Sequence, residues 1–74
     1  MSYWKMPPNV YPTLSRWMIN EDYSPERMAL DLYITATAVR HRLSGNTPFT
    51  RLEEDRLSEI AKIPRKQLFR KGEK

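Results

Sequence analysis

The chain has no cysteine, one histidine and two glycines in 74 residues. Without cysteine there is no disulfide and no thiolate zinc site to hold the fold. A lone histidine, His41, excludes the familiar paired-histidine metal spacings. No stretch approaches the ~18 apolar residues of a membrane helix. The N-terminus, Met1-Ser2-Tyr3-Trp4-Lys5-Met6-Pro7-Pro8, lacks the apolar run of about seven or more residues that follows the first charge in a secretory signal. These absences lead us to expect a soluble, cytoplasmic protein that binds neither metal nor cofactor and has no contact with membrane.

Catalytic equipment is missing as well. Covalent or acid–base chemistry needs a nucleophile beside a base, or paired groups in a cleft. His41 stands between Arg40 and Arg42 and reads as a surface or packing residue. The carboxylates Glu54, Asp55 and Glu59 fall on the expected outer face of a helix. No glycine-rich phosphate loop, internal repeat or low-complexity tract is present. The expectation is a binding protein, not an enzyme. Its length allows one domain with a modest core, whose net stability rarely exceeds roughly 3–5 kcal/mol. A monomer is the favoured state.

What the chain does have is an uneven charge. The formal net charge is +4. Residues 1–61 carry seven Lys/Arg against eight Asp/Glu, a net of −1. Residues 62–74 carry Lys62, Arg65, Lys66, Arg70, Lys71 and Lys74 against Glu73, a net of +5. A near-neutral body with a basic end suits an acidic partner, either a protein surface or nucleic acid. A solvated tail that serves only solubility is the plain alternative.

Local signals place five segments. Residues 1–12 hold Pro7, Pro8 and Pro12 among Tyr3, Trp4, Met6, Val10 and Tyr11, and proline keeps such a segment extended. This arm is either a lid over the helices or an aromatic motif left for a partner. A short helix is expected from about Thr13 to Ile19. Ser24-Pro25-Glu26 is a helix start, with a cap, a proline at the first position and an acid facing the dipole. The apolar stripe Met28, Leu32, Ala36, Val39 and Leu43 predicts one long helix to Leu43 or Ser44, stopped at Gly45. Leu30, Tyr33 and Ile34 widen that stripe, so this helix is expected to be central and Tyr33 to be core.

Thr50-Arg51-Leu52-Glu53 matches the capping-box pattern and opens the next helix, running to about Lys62 with Leu52, Leu57, Ile60, Ala61 and Ile63 inward. Pro64 breaks it and suits the start of another. A basic amphipathic helix is expected from Pro64 to Lys71, with Leu68 and Phe69 as anchors and Lys66, Gln67, Arg70 and Lys71 on one side. The fold class is therefore all-α: a single domain over 1–74 of three or four helices, with an extended arm over 1–12 and a basic segment over 63–74.

The candidate binding residues are Arg65, Lys66, Gln67, Arg70 and Lys71 of the basic segment and Tyr3, Trp4 and Lys5 of the arm. Arginine and glutamine can read base edges and lysine can meet phosphate, while aromatic anchors dominate protein interfaces. Leu57 to Arg70 resembles a helix-turn-helix unit, with Ala61 at the helix crossing and Ile60 and Leu68 as core. That resemblance implies direct DNA binding. Only Lys62 and Ile63 separate Ala61 from Pro64, a shorter turn than the family uses. In size, missing cysteine and missing catalytic motifs, the whole chain is similar to the small phage-encoded regulators that bind host RNA polymerase. This second resemblance implies a non-enzymatic regulator of gene expression in a bacterial host, with RNA polymerase as the acidic protein partner. A weaker likeness to Hha-type nucleoid modulators lies in Tyr33, His41-Arg42-Leu43 and Lys62-Ile63-Pro64, with a longer intervening segment here.

Overall fold

The computed structural model describes residues 4–72. Among them the regular structure is entirely helical: α1 Pro12–Asn20, α2 Pro25–Leu32, α3 Ala36–Leu43, α4 Arg51–Ala61 and α5 Arg65–Leu68. The all-α class holds, with five helices in place of the expected three or four.

Each helix starts where local chemistry permits. Proline occupies the first turn of α1 and α2, where its missing N–H would have had no helical partner. The Ser24 hydroxyl accepts the Arg27 amide at 3.1 Å, and the Thr50 hydroxyl accepts the Glu53 amide at 3.1 Å. The Glu53 carboxylate returns the bond by accepting the Thr50 amide at 3.0 Å, so the capping box is complete. The turn after α1 passes through Asp22 in the left-handed region (φ 53). The Tyr23 amide then bonds back to the Met18 carbonyl at 2.8 Å.

The expected long central helix is broken in two. Tyr33 adopts φ 60, ψ 40, and the Ile34 amide folds back onto the Ala29 carbonyl at 3.0 Å. Thr35 then starts α3, its hydroxyl accepting the Ala38 amide at 3.0 Å. The break lets α2 and α3 fold against each other, so Met28, Ala29 and Leu32 join Val39 and Leu43 in one core. A single straight rod would have carried them past the small interior. The consequence for Tyr33 is the opposite of the expectation: it is 87% exposed. Leu30 and Leu52 are exposed too, at 74% and 81%, and Ile60 lies at the margin.

The core is built from Leu14, Met18, Met28, Val39, Leu43, Leu57 and Leu68, all fully buried. One aromatic cluster closes its side. Tyr11, Phe49 and Phe69 meet with ring centroids 5.0–5.7 Å apart. Three segments distant in sequence, the arm, the α3–α4 loop and the C-terminal end, are thereby tied together. Gly45 turns the chain after α3 at φ 89, a conformation that L side chains rarely adopt. No described helix is long and apolar enough to cross a membrane.

Candidate partner-binding surface

The C-terminal segment is shaped by the turn before it. Lys62 caps α4 in the left-handed region (φ 59, ψ 36), its amide bonding to the Ser58 carbonyl at 2.8 Å. The Ser58 hydroxyl donates to the Ile63 carbonyl at 2.6 Å, pinning the turn from inside. Pro64 then opens α5, which is only one turn long, ending at Leu68. The helix expected to reach Lys71 stops early for a tertiary reason. Phe69 leaves helical geometry (φ −105, ψ 22) to pack against Tyr11 and Phe49, and the Gly72 amide donates to the Val10 carbonyl at 2.9 Å. Arg70 and Lys71 therefore lie beyond α5, on an exposed stretch fastened at both ends.

Arg65 is not part of a free basic face. It is half-buried and lies 3.1 Å from Glu54 and 3.5 Å from Asp55 of α4. That pairing also revises Glu54, which had been expected on a solvated face. Lys66 and Gln67 are exposed on α5. Lys62, missed by the sequence reasoning as a candidate, is exposed beside them and belongs to the same run of cations.

The charges sort in an orderly way. Several body acids are met by arginines: Asp31 by Arg27, Glu26 by Arg40, Glu53 by Arg42 and Asp55 by Arg51. Among the described residues, Lys62, Lys66, Arg70 and Lys71 have no ion-pair partner within 4 Å. Lys5, Arg16 and Arg56 of the body are likewise exposed and without an ion pair among the described residues; the C-terminal four differ in falling within ten positions.

The arm behaves as a lid. The Trp4 indole N–H donates to Asp22 at 2.6 Å, and Trp4, Met6 and Val10 pack against the core. The Val10 amide donates to the Leu43 carbonyl at 2.9 Å, and the Asn9 side chain accepts the Tyr11 amide at 2.8 Å. Lys5 is exposed. Tyr3 lies outside the described residues. The arm and the basic segment meet at the Val10–Gly72 hydrogen bond, so the two sets of candidates are held by one framework.

A second surface escaped the sequence reasoning. Tyr33, Leu52 and Leu32 line an open groove of about 250 Å³ with Asp31, Glu53 and Arg56 around it. Helical phase was the available signal for Leu52: five positions before Leu57, it sits about 140° away from that core residue. No such signal existed for Tyr33.

One part-buried polar contact adjoins the groove through Asp31. The Tyr23 hydroxyl donates to Asp31 at 2.6 Å, and burial together with that carboxylate pushes the phenol pKa well up from its ordinary value of 10.0. Trp17 packs against the Tyr23 ring, the two tilted by 49° with centroids 4.7 Å apart. This arrangement stabilises the α1–α2 connection and leaves the hydroxyl committed to a structural bond. Among the described residues no group of three or more His, Asp or Glu side chains is placed to hold a metal. No known protein family, curated protein or solved structure matches this chain.

Proposed function

We propose that the chain is a non-enzymatic regulator that works by binding an acidic surface of a partner protein in the transcription machinery. The observation that carries this reading is the sorting of charge. Arginines pair with Glu26, Asp31, Glu53, Glu54 and Asp55 of the body, while Lys62, Lys66, Arg70 and Lys71 stand exposed and unpaired on one C-terminal stretch. Such a patch raises association rate and selects partners of opposite charge. The stretch is fastened through Phe69 and Gly72, so its cations are held near the body and little ordering is needed on binding. The placement in gene expression, with RNA polymerase as partner, rests on the likeness to small phage regulators in size and composition.

Direct DNA binding through a helix-turn-helix is the second reading. A recognition helix lies along the major groove and reads bases from its first turns. α5 has one turn, and its leading residue Arg65 is held by Glu54 and Asp55. The protein partner is therefore preferred.

The test uses immobilised bacterial RNA polymerase and a variant carrying Lys62→Gly, Lys66→Ala, Arg70→Ala and Lys71→Ala. Glycine is chosen at position 62 because that residue is left-handed. Arg65 stays in place to preserve its ion pairs. Binding by the parent and its loss in the variant, with helical circular dichroism unchanged, supports the reading. Equal binding by both, or none by the parent, overturns it. So does tight binding to random duplex DNA with a log–log salt slope of roughly −3 to −4, the value for four phosphate contacts.

A further inference from the structure

Tyr33 combines two features that folding alone does not favour. It holds a left-handed backbone (φ 60) that bulky residues avoid, and its ring is 87% exposed. Glycine would end α2 in the same geometry with less strain. Leu52 adds a second large apolar side chain, 81% exposed, at the second position of α4. An acidic residue there would serve the helix at least as well. The two side chains flank one groove whose apolar wall includes Leu32.

The groove's size and charge limit what could occupy it. At about 250 Å³ it falls below the ~300–1,000 Å³ usual for small-molecule pockets, and it is open to solvent. It suits side chains from a macromolecule. Of the charges around it, Asp31 accepts the Tyr23 hydroxyl and pairs with Arg27, and Glu53 pairs with Arg42 while capping Thr50. Arg56 has no ion-pair partner among the described residues and is exposed. The unsatisfied charge at the rim is therefore positive. No described residue forms a strand, so an added β-strand has no edge to join.

We propose that this groove docks an acidic amphipathic helix of a partner protein, which seats an apolar side chain between Tyr33 and Leu52 and a carboxylate on Arg56. The site does not depend on the C-terminal cations and stands if they prove irrelevant. Helix-in-groove binding presents apolar anchors at positions i, i+3, i+4 and i+7. The carboxylate–guanidinium pair sets orientation and the sign of the accepted charge.

The probe is an alanine-based helical peptide with leucines at that spacing and flanking glutamates, titrated into the full chain while backbone amide resonances are followed. Two counterparts are used: one with lysine for glutamate, one with alanine for leucine. The expected result is shifts confined to residues 31–34 and 52–56 with the acidic leucine peptide alone. Arg56→Glu should weaken binding by roughly tenfold or more. Tyr33→Gly and Leu52→Glu should abolish it without lowering the melting temperature, because glycine relieves the left-handed strain and glutamate suits the start of a helix. Retained binding in those two variants overturns the proposal. It also fails if the lysine peptide binds equally, if shifts fall on residues 62–71, or if millimolar peptide shifts nothing. Concentration-dependent shifts at Tyr33 without peptide assign the groove to a second copy of this chain and overturn it as well.

Discussion

Glu53 joins two functions in one side chain, and replacing it separates them. Its carboxylate accepts the Thr50 amide at 3.0 Å, closing the capping box of α4, and accepts from Arg42 Nε of α3 at 2.8 Å. Arg42 also donates to the Ala38 carbonyl at 3.3 Å. The two charged side chains are only 15% and 11% exposed, so neither is well hydrated if its partner is removed. Glu53→Gln keeps an acceptor for the cap and removes the charge. A hydrogen bond to a charged group contributes about 1.5–3 kcal/mol, so this change is expected to cost about 2 kcal/mol. Glu53→Ala removes the cap bond as well, adding about 1 kcal/mol.

The total, about 3 kcal/mol, approaches the ~3–5 kcal/mol available to a core of this size. Glu53→Ala should therefore be marginally stable, with a substantial unfolded fraction at 37 °C. For a domain this small, each kcal/mol moves the melting temperature by about 4–8 °C, which places Glu53→Gln roughly 8–16 °C below the parent. Urea unfolding followed by circular dichroism measures both variants. A double-mutant cycle with Arg42→Met isolates the pair, with an expected coupling of 1 kcal/mol or more. Coupling under about 0.5 kcal/mol, or equal stability of Glu53→Gln and the parent, would refute the assignment of Arg42–Glu53 as the link between α3 and α4.

Two further outcomes follow from the core. Phe69→Leu removes ring contacts with Tyr11 and Phe49 and should cost about 1–3 kcal/mol, at ~0.5–1.5 per aromatic pair; amide exchange at Gly72, bonded to Val10, should quicken more than exchange in α2. Tyr23 gives a pH signature. Its folded pKa is raised above the ordinary 10.0, so its contribution is fully present below pH 10 and is lost as pH rises above it. Urea midpoints taken between pH 9 and 11 should fall less steeply in Tyr23→Phe, and identical slopes would show that the Tyr23–Asp31 bond has no such linkage.

Much of this fold was legible residue by residue. Ser24-Pro25, the Thr50–Glu53 box, Gly45 and Pro64 mark their boundaries through contacts within four residues, so no knowledge of the rest of the chain is needed. The same holds for the all-α class and for the charge split. The candidate surface was legible only in part. Lys66, Arg70 and Lys71 are exposed as expected, but Arg65 is claimed by carboxylates one helix earlier, and no spacing rule reveals a partner eleven positions away.

The remaining features were decided by packing. Local chemistry alone would continue α2 through Tyr33, a residue with no preference for a left-handed turn. Folding α2 onto α3 buries Met28, Leu32, Val39 and Leu43 together, and that burial outweighs one strained residue and one exposed ring. α5 stops at Leu68 because Phe69 is captured by Tyr11 and Phe49. The arm is a lid because Trp4 finds Asp22 and Val10 finds Leu43. The sequence by itself therefore settled that the chain is helical, where several helices begin and where the positive charge lies. Tertiary structure decided which cations remain free and which apolar side chains face water, because both depend on neighbours that only the folded chain brings together.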